Sequence, residues 1–300
     1  MLTYDEANPD GQIPMPFKAA EDYACEVMGW AREPESTEGM DVHRDIAYGT
    51  NRLHRYDVYS PGGAENAPVV VFWHGGGWTN GYRDYNAFMA KHITAMGCVL
   101  VSPSYRLVGE AKLPAAFDDS LDMLGHVFQY IHRQGGDPSR LYLGGHSAGA
   151  HLASLVALRP VDRARFGVPQ SAVKGCLPIS AIMDLYHPAP APGSLEDRVY
   201  SMVLKDQSLD AVMSPICWTA GNSVPFYLSH GEHDSERVQK SNLRIRALLK
   251  LQNAPVELRI MAGQDHFSAH TSLRDAHHPW YAKLAEFTGE TQTSAKLETA

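Results

Sequence analysis

A run of ten residues, Leu141-Tyr142-Leu143-Gly144-Gly145-His146-Ser147-Ala148-Gly149-Ala150, leaves this chain few ways to fold. It reads as an apolar strand, a sharp turn of the form Gly-x-Ser-x-Gly, and a helix that begins at Ala148 and carries Leu152, Leu155 and Val156. A serine on such a strand-to-helix elbow has a strained backbone that lifts its hydroxyl out of the sheet. The flanking glycines, Gly145 and Gly149, remove side chains where strand and helix nearly touch. The helix N-terminus behind the serine favours developing negative charge. Ser147 is therefore a candidate nucleophile, provided that the chain also supplies an oxyanion hole, an acid and a histidine.

The strands around the elbow say what kind of sheet it belongs to. Residues 42–48 and 53–59 are expected as an antiparallel pair at the sheet edge; the second alternates along its length and is closed by Ser60-Pro61-Gly62-Gly63. Pro68-Val69-Val70-Val71-Phe72-Trp73 is apolar without alternation, as a strand covered on both faces is. Thereafter the patterns alternate: a helix at 85–96, a strand at 98–102, a helix at 114–132, and the elbow strand entered through Gly135-Gly136-Asp137-Pro138. Strands at 173–179, 224–230 and 256–261 follow, with a helix at 236–251. Such alternation implies right-handed βαβ units. The expected fold is α/β, a mostly parallel eight-stranded sheet flanked by helices, with catalytic groups gathered at the strands' carboxyl ends.

His74-Gly75-Gly76-Gly77-Trp78 leaves the buried strand directly. Glycines in that position can aim consecutive backbone N–H groups at one point, and the Lys-Ser/Thr of a phosphate-binding loop is missing. The N–H groups of Gly75, Gly76 and Ala148 form the expected oxyanion hole. Gly231-Glu232-His233-Asp234-Ser235 follows one strand and Ala262-Gly263-Gln264-Asp265-His266-Phe267 the next, so Asp234 and His266 arrive at the same sheet edge as Ser147. Asp184, Glu232 and Asp265 are rival acids, set aside because each suits the turning of its own loop. His230-x-x-His233-Asp234 lacks a further ligand cluster, so neither a metal nor an organic cofactor is expected.

His74-Gly75-Gly76-Gly77-Trp78, Tyr105-Arg106-Leu107 and Gly145-His146-Ser147-Ala148-Gly149 together resemble an α/β-hydrolase of the hormone-sensitive-lipase-like esterase group, which is similar also to the kynurenine formamidases. The resemblance covers roughly residues 40–285. The continuation Ala150-His151-Leu152-Ala153 and the run Ile179-Ser180-Ala181-Ile182-Met183-Asp184-Leu185 lean toward the formamidases, whereas Gly77 stands where many formamidases carry a bulky residue. Three functions are compatible: a serine hydrolase cleaving small or aryl carboxylic esters through an acyl-enzyme, an arylformamidase acting on an N-formylkynurenine-like amide, and a non-catalytic small-ligand receptor on the same fold. The presence of Ser147, Asp234 and His266 together favours the first two.

With 300 residues and 44% hydrophobic content, one catalytic domain is expected over 41–290. A cap is expected from residues 1–40, whose helix at 18–30 puts Ala19, Tyr23, Val27 and Trp30 on one face, and from an insertion at about 187–222 that opens with a helix at 195–204. A flexible tail is expected at 291–300. Trp78, Tyr82, His146, Tyr200 and Trp218 are the candidates for lining a substrate pocket, although His146 at the elbow also suits a structural role. A net charge of −8 without basic runs points away from nucleic acid and anionic membranes. Cys25, Cys98, Cys176 and Cys217 have no C-x-x-C spacing and are read as buried free thiols. No apolar run approaches about 18 residues, and the start lacks a basic-then-apolar leader, so a cytoplasmic protein is expected. Its partner would be a small-molecule ester or amide, with a homodimer left open.

Overall fold

Seven consecutive residues without a charge, Ala67–Trp73 (β3), can be accommodated only where both faces of a strand are covered, and β3 is buried at every position. Its side chains alternate between two cores. Val69, Val71 and Trp73 point to one, with Leu143, Leu152, Leu155 and Phe117; Val70 and Phe72 point to the other, with Tyr142, Leu177 and Trp280. The computed structural model describes residues 2–33 and 37–290, so the tail expected at 291–300 lies outside the described residues.

The remaining strands are β1 (Met40–Ala47), β2 (Arg55–Pro61), β4 (Val99–Pro103), β5 (Gly136–His146), β6 (Val173–Ile179), β7 (Phe226–Gly231) and β8 (Val256–Met261). They form one eight-stranded sheet in the order β1-β2-β4-β3-β5-β6-β7-β8. β1–β2 and β2–β4 are antiparallel and every other pair is parallel, so the α/β expectation holds together with its antiparallel edge. Helices Ala115–Tyr130, Ala148–Leu158 and Glu236–Leu249 carry one core, and Pro279–Thr288 closes the other with the fully buried Trp280.

Some boundaries differ for local reasons. β5 already begins at Gly136, inside the expected turn, and its register with β3 slips between Ala67 and Val69. Pro138 lies in that slip, where its missing N–H costs no ladder bond. The helix expected at 85–96 is a 3₁₀ stretch, Arg83–Met89, followed by Ala90–Ala95. The one expected at 195–204 is a single α turn, Leu195–Arg198, continued by a π turn, Val199–Val203. Cys25, Cys98 and Cys176 are buried as expected, but Cys217 is exposed, on the short 3₁₀ turn Pro215–Trp218.

The N-terminal helix Lys18–Ala31 buries Ala20, Tyr23, Ala24, Val27 and Met28, a face rotated from the expected one so that Ala19 is exposed. The segment before it is tied to the loop after β3. Gln12 Nε2 donates to Gly81 O at 3.0 Å, Gly81 N–H donates back to Gln12 Oε1 at 2.8 Å, and Asn80 Nδ2 donates to Ile13 O at 2.6 Å. Among the described residues no helix is long and apolar enough to cross a membrane.

His74, His146, His151 and His270 are buried and close to the elbow. Burial holds His74 and His151 down to about 4 and His270 to about 3, and burial with the neighbouring His270 and His266 holds His146 well below the usual imidazole range. The unfolded chain therefore takes up protons below about pH 6.5 that the folded chain does not, and stability falls as pH drops through that window. Each such histidine costs about 1.4 kcal/mol per pH unit there. A melting-temperature series should drop by on the order of 8 °C between pH 6.5 and 5.5; a flat series down to pH 5 would contradict neutral burial.

Candidate active site

β5 ends at His146, and Ser147 breaks from it with φ 54° and ψ −118°, a conformation a non-glycine residue adopts only when its surroundings enforce it. The enforcement is close packing. A Cβ on Gly145 would lie 2.6 Å from Gly149 C, and one on Gly149 would lie 2.3 Å from Trp73 O. Ser147 N–H donates to Ile179 O at 2.9 Å and its carbonyl accepts from His151 N–H at 3.0 Å, which leaves the hydroxyl directed away from the sheet.

His266 lies in the turn after β8 and Asp234 in the turn after β7. The Ser147 hydroxyl is 2.8 Å from His266 Nε2, and His266 Nδ1 is 2.8 Å from Asp234 Oδ1. With Nδ1–H donating to the carboxylate, Nε2 is free to accept the serine proton, the polarity that nucleophilic catalysis needs. The Asp234 side chain is fully buried. Burial alone would raise its carboxyl, but His266, the nearby Ser180 hydroxyl and the Ser235 N–H outweigh burial and hold it below the usual carboxylate range. Gln239 Nε2 donates to Asp234 O at 2.7 Å and steadies the turn.

The rival acids are engaged elsewhere. Asp184 accepts from Tyr186 N–H at 3.1 Å and pairs with Arg244. Glu232 accepts from Gly263 N–H at 2.8 Å, and Asp265 accepts from the N–H groups of Phe267 and Ser268. His230 turns its Nδ1 to Gly231 O, and among the described residues no group of three His, Cys, Asp or Glu side chains is arranged to hold a metal.

Gly75 sits against the elbow: a Cβ there would fall 2.8 Å from His146 Nδ1 and 3.3 Å from Ser147 Cβ. Gly76 has φ 119°, and its carbonyl is turned back to accept from Thr79 and Asn80 N–H. The N–H groups of Gly75 and Gly76 meet no main-chain acceptor among the described residues, and Ala148 opens a helix, where an N–H has no intrahelical partner. None of the three expected donors thus has a main-chain partner of its own among the described residues.

A cavity of about 330 Å³ opens over Ser147 and His266. Its walls are largely apolar, with Met15 and Phe17 from the N-terminal segment, Trp78 from the glycine-rich turn, Ile182 after β6, and Val199 and Val203 from the insertion. The volume is in the range of small-molecule sites. Of the five expected lining residues only Trp78 and His146 border it, and His146 is 1% exposed, lying beneath the floor. Tyr82 does not line it; its hydroxyl donates to Asn8 Oδ1 and accepts from Asp10 N–H, anchoring the N-terminal arm. Tyr200 does not either, since its hydroxyl donates to Asp210 and accepts from His187 N–H, bracing the insertion from within. Trp218 lies outside, donating to Val212 O under the Arg159 guanidinium. Aromatic character in a loop does not reveal which way the ring faces.

Met15, Phe17, Val199 and Val203 were not singled out by sequence; isolated apolar residues in loops carry no periodic signal. Arg237 also borders the cavity, yet its guanidinium donates to the carbonyls of Asp184 and Leu185.

The profile of a known family described as having an α/β-hydrolase fold matches residues 70–270. The probable carboxylic ester hydrolase LipM of Mycobacterium tuberculosis is 27% identical over 273 residues, covering 83% of this chain and 63% of that protein. The probable isoprenylcysteine alpha-carbonyl methylesterase ICME of Oryza sativa subsp. japonica is 25% identical over 242 residues, covering 75% of this chain and 58% of that protein. This chain therefore spans about three fifths of the length of both relatives. A solved Pyrobaculum calidifontis esterase superposes with a TM-score of 0.74 at 21% identity, over 96% of this chain and 94% of that one, which speaks to the fold. The matched stretch takes in the glycine-rich turn, the elbow and the turns after β7 and β8, and the chain belongs to the α/β-hydrolase family.

Proposed function

We propose that this protein is a serine hydrolase that cleaves carboxylic esters of small or aryl substrates through an acyl-enzyme. The observation that carries the reading is the unbroken line from Ser147 Oγ through His266 to the buried Asp234 carboxylate, at the floor of an apolar cavity. Nε2 of His266 takes the Ser147 proton as the oxygen attacks the ester carbonyl, and Asp234 stabilises the imidazolium that results. The N–H groups of Gly75, Gly76 and Ala148 receive the oxyanion, a contribution of about 3 kcal/mol per donor in comparable sites. His266 then gives its proton to the departing alcohol. Water attacks the acyl-serine by the same route and frees the acid.

Residues 1–40 and the insertion at about 187–222 act as the cap of this site, with 41–290 as the catalytic domain. Support comes from Met15, Phe17, Val199 and Val203, which wall the cavity from those two segments. An apolar wall rewards added methylenes: each one buried is worth about 0.8 kcal/mol, or roughly fourfold in kcat/KM, until the space is full. A series of p-nitrophenyl esters from acetate to octanoate should therefore rise to an optimum and then fall. N-formylkynurenine in the same series separates the classes, since turnover of the formamide with none of the esters would replace this reading with an amide hydrolase.

A further inference from the structure

A buried polar chain connects the N-terminal helix to the backbone of His266, and the chemistry above makes no use of it. The Tyr23 hydroxyl lies 2.8 Å from His270 Nδ1 and 3.4 Å from His146 Nδ1. His146 Nε2 lies 2.8 Å from the main-chain oxygen of His266. The rings of His146 and His270 stack at 4.9 Å with 5° between their planes, which fixes both against the tyrosine.

The protons on this chain can be assigned. The His266 carbonyl only accepts, so His146 Nε2 carries a hydrogen. Burial and the neighbouring histidines keep His146 neutral, which leaves Nδ1 a bare acceptor that needs a donor. The Tyr23 hydroxyl is the donor at hand among the described residues. Its oxygen then accepts from His270 Nδ1–H. In the opposite arrangement Tyr23 donates to His270, whose hydrogen must move to Nε2, a buried atom with no partner. A buried N–H without an acceptor is rarer and costlier than a lone pair without a donor, so the first direction prevails.

We propose that Tyr23 is a positioning residue for catalysis: its hydroxyl sets the His146 tautomer that donates to the His266 carbonyl, and the N-terminal helix thereby holds the His266 imidazole in line with Ser147. This rests on the serine-hydrolase reading. His146 is accordingly a support beneath the base, in place of the substrate contact expected from its place in the elbow. The same contact gives the cap a second task, because the helix that walls the cavity also aligns the base. A displacement of the imidazole by about 1 Å is enough to cost on the order of 10²-fold in rate, so a single hydrogen bond to its backbone can matter.

A kinetic double-mutant cycle and imidazole nitrogen spectra, both on the full chain, test this. Tyr23→Phe keeps the ring that packs on Tyr85 and Phe267 and removes only the hydroxyl. It should lower kcat for p-nitrophenyl butyrate about tenfold and change KM less than about twofold. His146→Gln, whose amide N–H reaches toward the same carbonyl without needing a tautomer set, should lower kcat by itself, and adding Tyr23→Phe to it should lower kcat no further. In spectra of wild type labelled with ¹⁵N-histidine, the signal lost in His146→Gln should be that of the Nε2–H tautomer. Rate losses that multiply in the double variant, or a wild-type His146 in the Nδ1–H form, overturn the proposal. If Tyr23→Phe does not fold, the wild-type spectrum alone decides. A wild type that hydrolyses no ester would instead defeat the hydrolase reading, and the spectrum distinguishes that failure from this one.

Discussion

Ser147→Ala should fold as wild type does and lose up to about 10⁶-fold in kcat toward p-nitrophenyl esters. The substitution removes one oxygen, which is hydrogen-bonded to His266 Nε2, and it leaves the positive φ of the elbow, the Ser147-to-Ile179 backbone bond and the packing of Gly145 on Gly149 unchanged. The loss is therefore chemical. Attack by water remains, assisted by the oxyanion donors, and accounts for whatever rate persists. Parallel melting curves and kcat values check both halves of the statement. A variant with a tenth of wild-type activity would remove Ser147 from the mechanism.

The second large effect separates the carboxylates. Asp234→Asn keeps the size of the side chain, but an amide that turns its N–H₂ toward His266 favours the tautomer with hydrogen on Nε2, which cannot accept the serine proton. Serine proteases with the same arrangement lose about 10⁴-fold in kcat on this change, and the same order is expected here. Asp184→Asn, by contrast, removes a charge paired with Arg244 and part of a turn to Tyr186, neither of which touches Ser147 or His266. Its kcat should change less than about threefold, with the effect confined to stability. Equal losses in the two variants would mean that the assignment of the acid is wrong.

The proximity of Ser147, His266 and Asp234 was legible in the sequence because each residue follows a local rule. The elbow needs glycine on both sides of Ser147, a requirement visible in the Gly-x-Ser-x-Gly spacing and met in the structure by approaches that exclude any Cβ. Asp234 and His266 each follow a strand of a parallel sheet, and parallel strands deliver their carboxyl ends to one edge, so order along the chain translated into proximity. Where no such rule exists, the reading went astray. Tyr82, Tyr200 and Trp218 are aromatic residues in the right loops, but their hydroxyl or indole groups are bound to Asn8, Asp210 and Val212, which turns the rings away from the cavity. The helix at Lys18–Ala31 shows a similar limit. Tyr23 and Val27 are buried as expected, but Ala20, Ala24 and Met28 bury with them while Ala19 is exposed, because a helix this rich in apolar residues supports two adjacent faces. His270, four residues beyond His266, gave no signal because its task is to accept packing from Phe72 and donate to Tyr23.

The account stands on Ser147 being a nucleophile activated by His266, and covalent capture measures that directly. A fluorophosphonate ester carries a leaving group on a tetrahedral phosphorus that an activated serine attacks, and the adduct cannot be released as an acyl group is. Digestion and mass spectrometry after brief exposure should find one phosphonyl group per chain, on the peptide containing Ser147, with none on Ser147→Ala and much slower labelling of Asp234→Asn. A wild-type protein that stays unlabelled, or carries the group on a different residue while still hydrolysing esters, would contradict the account.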